Sequence, residues 1–210
     1  MKKRTVERHA TFFNLSDALS EKGCALCSLT AKAAHDYLNG VLYESVTDAG
    51  TRKAFAASLG VCPTHARLAS QMKDALGIAI IYESLCRDVA NRIENGETPC
   101  VGKCPVCRAV AETEERYLSE FGARIGESDF QETFRSSDGF CLVHYGMVIL
   151  ALRDKNAHAI VQSHHASILR SLAEQLKLFI EKHDYKKSAE FGAEADAWLR
   201  ALDKFVGKMR

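Results

Sequence analysis

Apolar residues recur three and four positions apart through most of this 210-residue chain, the spacing of helices with one buried face. One such run carries Leu29, Ala33, Tyr37, Leu38 and Val41; another carries Val110, Tyr117, Leu118 and Phe121. A third runs through Ile78, Ile81, Leu85 and Val89, with Gly77 bending or interrupting the pattern before it. The longest stripe holds Ile160, Val161, His164, Ile168, Leu172, Leu176, Phe179 and Ile180, and a last helix is expected to carry Phe191, Ala195, Trp198, Leu202 and Phe205. Short helices are expected over 52–59, 130–136 and 147–153, and one from His65 to about Lys73. Pro63 and Pro105 each follow a cysteine directly and read as first helical residues, since proline suits the first turn. No alternating strand pattern occurs, so the expected class is all-α.

The helices are punctuated by two copies of one ligand pattern. Cys24-x-x-Cys27 is followed after 34 residues by Cys62-x-x-His65, and Cys104-x-x-Cys107 after 33 residues by Cys141-x-x-His144. Flanking residues match as well. Tyr37-Leu38 and Tyr117-Leu118 each begin ten residues past a cysteine, Phe55 and Phe134 each precede one by seven, and Gly60 and Gly139 by two. The copies therefore form an internal repeat with a single deletion. Each copy contains three thiols and one imidazole, a tetrahedral complement for zinc, so two zinc ions per chain are expected, one clamping each repeat. The set Cys24, Cys27, Cys62 and His65 would hold one, and Cys104, Cys107, Cys141 and His144 the other. An iron-sulfur cluster takes the same kind of ligand and would make the protein a redox or electron-transfer carrier. Thiol-disulfide chemistry at a C-x-x-C normally needs a βαβ setting, which this pattern lacks.

Composition narrows the partners. With 28 basic and 27 acidic residues the chain has no electrostatic footprint for nucleic acid or an anionic membrane. The start MKKRTVERHATFFNL lacks the apolar core of a secretory signal, and no run reaches the length of a membrane span. A cytoplasmic location is expected, where a reducing milieu favours metal-bound or free thiols over disulfides. The linker Asn95-Gly96-Glu97-Thr98-Pro99 suggests segments at 1–95 (an N-terminal helix and the first repeat), 96–153 (linker and second repeat) and 154–210 (C-terminal helices packing on the repeats).

Other chemistry-bearing residues have plainer readings beside the functional ones. Cys100 sits four residues before Cys104 and reads as a linker residue, a spare ligand or a resolving thiol, while Cys86 reads as a small core hydrophobe. His164 and His165 lie within the long stripe and read as packed histidines with a nitrogen bonded to a carbonyl, or as groups supporting the second ligand set. His183, Asp184, Tyr185 and Glu194 gather titratable groups at a turn and mark a possible cleft. No phosphate loop, nucleophile elbow or H-E-x-x-H motif is present.

The motifs CALC, YL, GVCPTHA, LGIAIIYESL, CPVC, GFCLVHY and the C-terminal KHDY with EADAW resemble those of a bacterial family of uncharacterised proteins, classed as a domain of unknown function. The resemblance runs from about Thr11 to Val206. It implies that the HDY segment belongs to the family pattern and brings no activity. The expected protein is all-α, with two metal-clamped helical repeats plus a C-terminal helical pair, acting as a binding or adaptor module for a protein or small-molecule partner. An iron-sulfur redox protein is the alternative, and an enzyme with a site near the HDY turn a weaker one.

Overall fold

The computed structural model describes residues 8–183 and 190–207. Among these the chain forms ten helices and no strand: α1 (Ala10–Ser20), α2 (Ala25–Glu44), α3 (Ala49–Ser58), α4 (Pro63–Gln71), α5 (Ala75–Glu94), α6 (Pro105–Arg124), α7 (Ser128–Ser136), α8 (Leu142–Ala151), α9 (Lys155–Lys182) and α10 (Ala197–Val206). The all-α class holds. None of these helices is long and apolar enough to cross a membrane.

Local chemistry sets the helix boundaries. Asp48, Asp74 and Asp154 cap α3, α5 and α9, each side chain accepting the backbone N–H three residues on, from Thr51, Gly77 and Ala157. The Asp74 cap moves the expected break. Gly77 does not interrupt a helix but lies in the first turn of α5, while Lys73, at φ 61°, makes the turn out of α4. Cys62 and Cys141 are the N-caps of α4 and α8, and Pro63 and Pro105 open α4 and α6 as the sequence indicates. The last helix is shorter than its apolar stripe. It starts at Ala197, leaving Phe191 and Ala195 outside it.

The chain divides into two compact units, Met1–Leu29 with Glu114–Arg210, and Thr30–Thr113. These units cut across the chain-order segments expected from the linker, because their boundaries fall inside α2 and α6 rather than in a loop. The first unit is built on a phenylalanine cluster. Phe121 is fully buried and meets Phe130, Phe134 and Phe140 edge-on, with ring centroids 5.8, 5.2 and 5.1 Å away. Leu15, Leu19, Leu26, Ile125, Val148 and Val161 complete this core. Arg124 is buried at its edge, its guanidinium donating to Glu120 and Glu127 at 2.8 and 3.0 Å. In the second unit Val41, Leu42, Phe55 and Ile81 form one cluster, and Ala34, Leu38, Cys104 and Val106 another.

These clusters place the ligand pairs. Cys62 packs against the cluster of Ala34, Leu38, Cys104 and Val106, which already holds a cysteine of the second Cys-x-x-Cys pair. The short α3 returns the chain only part of the way back, because its Phe55 docks on Val41 and Leu42 near the far end of α2. In the second copy Phe140, next to Cys141, docks on Phe121, about 21 Å along α6 from Cys107 at a rise of about 1.5 Å per residue.

Candidate metal centres

The eight ligand-type residues form two clusters, and the repeats exchange partners to make them. Cys24, Cys27, Cys141 and His144 form centre A; Cys62, His65, Cys104 and Cys107 form centre B. Within each, one ligand atom per residue lies within 4.8 Å of every other. The within-repeat pairing expected from spacing is thereby corrected: each centre joins the Cys-x-x-Cys of one repeat to the Cys-x-x-His of the other. Each also lies wholly inside one compact unit, A in the first and B in the second.

In centre A the Nδ1 of His144 stands 3.3, 3.4 and 3.3 Å from the sulfurs of Cys24, Cys27 and Cys141, and the Cys27 and Cys141 sulfurs are 3.8 Å apart. In centre B the Nδ1 of His65 stands 3.2, 3.6 and 3.5 Å from Cys62, Cys104 and Cys107, and the Cys62 and Cys107 sulfurs are 3.7 Å apart. The Cys-x-x-Cys and Cys-x-x-His pairs sit at the starts of α2, α4, α6 and α8. Helix starts present unpaired N–H groups and the positive end of the dipole to an anionic site. One such contact is the His144 N–H donating to the Cys141 sulfur at 3.5 Å.

Protons alone share these groups unevenly. Hydrogen bonding with Cys141 and Cys27, together with burial, pushes the Cys24 thiol far up, while the same contacts from Cys24 and Cys27 hold Cys141 as a thiolate. Against the opposing effect of burial, Cys141, Cys27 and Glu114 raise His144 to about 10. In centre B, backbone N–H groups of Cys62, Cys107 and Val106 lower Cys104 although burial opposes them. Partial desolvation, then hydrogen bonds with Cys62 and Cys104, push Cys107 up to about 12. A set of three thiols this close can ionise fully only around a cation, which displaces the protons.

Sequence reasoning pointed to His164 and His165 but missed Glu114, Lys204 and Gly207, which also support centre A. The Glu114 carboxylate takes the other ring nitrogen of His144, Nε2, at 2.8 Å, which fixes the ring with Nδ1 facing the sulfurs. The repeat hides this residue, since its counterpart at the 80-residue offset is Ala34. His165 accepts the Phe140 N–H at Nε2, 3.1 Å, and burial lowers its pKa to about 4, so it acts as a neutral acceptor. His164 Nε2 donates to the Ser137 carbonyl at 3.1 Å, the packed-histidine role expected from its stripe. Lys204 is buried and donates to the carbonyls of Asp138 and Phe140. Gly139, at φ 65°, lets the strap of residues 137–140, which leads into α8, approach α9, since a Cβ there would meet His165 Nε2 at 3.1 Å. Gly207 ends α10 against the sulfurs, where a Cβ would lie 3.3 Å from Cys27 Sγ and 3.5 Å from Cys141 Sγ.

Replacing Glu114 with glutamine should weaken metal binding at centre A by about 10- to 100-fold while leaving centre B unchanged, because an amide holds the imidazole less firmly and adds no negative charge. Competition with a chelator, read centre by centre through cysteine labelling, measures this. Equal affinities in the variant and parent would remove Glu114 from the site.

Other predicted residues lie elsewhere. Cys86 is exposed on α5 rather than in a core, and Cys100 is exposed in the loop before α6. His183 caps α9 and is exposed, its Nδ1 donating to the Phe179 carbonyl at 2.9 Å and its ring packed on Phe179 and Phe191. Glu194 is buried and already engaged: the Gly192 N–H and Lys182 ammonium hold it at 2.9 and 2.6 Å and lower its pKa to about 2. Asp184 and Tyr185 lie outside the described residues.

The sequence matches a family described as a family of unknown function (DUF6062), in two segments, residues 8–100 and 99–210. The chain belongs to this family. A similar relative is an "Uncharacterized 23.9 kDa protein in xynA 3'region" of Caldicellulosiruptor sp. (strain Rt8B.4), 27% identical over 201 residues that cover 89% of this chain and 96% of that protein. No solved structure matches.

Proposed function

We propose that centres A and B each hold one zinc ion and that the protein is a helical binding or adaptor module in which the ions are structural. The observation that carries this is the size of the ligand sets. A tetrahedron with Zn–S of about 2.3 Å and Zn–N of about 2.0 Å has S···S edges near 3.8 Å and S···N edges near 3.5 Å. One sulfur pair in each centre stands 3.8 and 3.7 Å apart, the S···N distances run from 3.2 to 3.6 Å, and all ligand atoms of a centre lie within 4.8 Å of one another. Ligands of a multi-iron cluster bind different irons and must stand farther apart than the edges around one ion. The dimensions favour the single ion. Four protein ligands also close each centre, leaving no position for the water that a catalytic zinc requires.

The module reading draws on α10. Ala197 and Lys204 face inward, whereas Trp198, Leu199, Leu202, Phe205 and Val206 are 44–63% exposed along the other side of the same helix. An apolar stripe of this kind suits a protein partner.

Native mass spectrometry with elemental analysis of anaerobically purified protein is the test. Two zinc ions per chain in a colourless preparation are expected. Iron and sulfide in a brown preparation would replace the zinc reading with the redox one.

A further inference from the structure

The two centres share a donor set but not an environment. Centre A has three buried ligands and one half-buried, Cys24; centre B has two buried ligands, a half-buried Cys62 and an exposed Cys107. Gly207 packs its backbone on two sulfurs of A, and the buried Lys204 ammonium interacts electrostatically with Cys24, Cys141 and Cys27, offsetting the charge of an anionic Cys3His site. No ligand of A is exposed, so its sulfurs are better screened from solvent and electrophiles than the Cys107 sulfur of B. In B the exposed Cys107 lies 3.7 Å from the Cys62 sulfur, within reach of a second thiolate.

From this asymmetry we propose that centre B is an oxidation-responsive metal-release site. A hydroperoxide converts its Cys62 and Cys107 thiolates to a disulfide, while centre A keeps its ion. The inference rests on the zinc reading above. Metal binding holds the Cys107 sulfur deprotonated, and thiolate character with exposure is what selects a cysteine for oxidation. The Cys107 thiolate attacks a peroxide oxygen; the O–O bond breaks, one oxygen stays as a sulfenic acid, and the other leaves as hydroxide or alkoxide and takes a proton. The Cys62 thiolate then attacks the Cys107 sulfur. An S–S bond forms, the S–O bond breaks, and the departing hydroxide is protonated to water. The peroxide gains two electrons and the two thiolates lose them. Cys104 and His65 remain as only two donors, too few for a four-coordinate site.

The experiment uses the full chain carrying Cys86→Ser and Cys100→Ser, which removes the exposed thiols outside both centres. Hydrogen peroxide is added, zinc release is followed with a chromogenic chelator, and disulfides are mapped by mass spectrometry of non-reduced peptides. One zinc ion should leave about tenfold or more faster than the other, in step with a Cys62–Cys107 disulfide, and a dithiol should restore binding. Release from both centres at one rate, release from A first, or a disulfide joining Cys24, Cys27 or Cys141 would overturn the proposal. Metal counting before oxidation keeps the readings apart. Two ions without a Cys62–Cys107 disulfide sink this inference alone; no metal with that disulfide sinks the zinc reading and leaves the thiol pair standing.

Discussion

In a Cys141→Ser protein, Cys24 and Cys27 should become open to alkylation while Cys104 and Cys107 stay protected. Cys141 stands 3.8 Å from Cys27 and 3.3 Å from His144, and it belongs to centre A although Cys104 and Cys107 are its partners within the repeat. Serine supplies no thiolate, so only three ligands would remain and an ion held there should be lost. Structural zinc contributes on the order of 10 kcal/mol to the folding of a small module, so the loss should also loosen the starts of α2 and α8. Native mass spectrometry should count one ion in place of two. Labelling of Cys104 and Cys107 in place of Cys24 and Cys27 would restore the within-repeat pairing and discard the exchanged one.

A Phe121→Ala substitution should destabilise the first unit by about 3–5 kcal/mol, the range for truncating a fully buried aromatic residue. Phe121 is 0% exposed and touches three other phenylalanine rings. Those rings have no room to collapse inward, because Phe130, Phe134 and Phe140 are themselves fixed by α7 and by the strap entering α8. Phe140 precedes Cys141 directly, so the cavity should also loosen centre A. Urea denaturation of metal-saturated protein, with helix content as the signal, gives the free energy. A loss under about 1 kcal/mol would show that the cluster repacks freely and is not the anchor of this unit.

Both effects follow from the same arrangement. The phenylalanine cluster positions the strap of residues 137–140, His164, His165 and Lys204 hold its backbone groups, and the strap delivers Cys141 to a helix start. The C-terminal helices therefore work at centre A through these contacts. Of the possible cleft residues His183, Asp184, Tyr185 and Glu194, His183 is an exposed helix end and Glu194 a loop carboxylate held by Lys182, while Asp184 and Tyr185 lie outside the described residues.

By itself the sequence determined the helical class, the starts of α4 and α6, the internal repeat and the eight residues with ligand chemistry, because periodicity, proline placement and donor type are local properties. It could not assign those residues to centres, since both repeats offer identical donors at nearly identical spacing and either pairing satisfies a tetrahedron. The tertiary structure decided this through lengths. Helices α2 and α6, at 20 residues each, carry the chain about 30 Å from their Cys-x-x-Cys pairs. The shorter α3 and α7 then dock by Phe55 and Phe134, α3 wholly within the second unit and α7 wholly within the first. Glu114, Lys204 and Gly207 were illegible for a related reason. They reach centre A from distant positions or through the backbone, with no counterpart in the other repeat, and only the packed helices bring them to its sulfurs and imidazole.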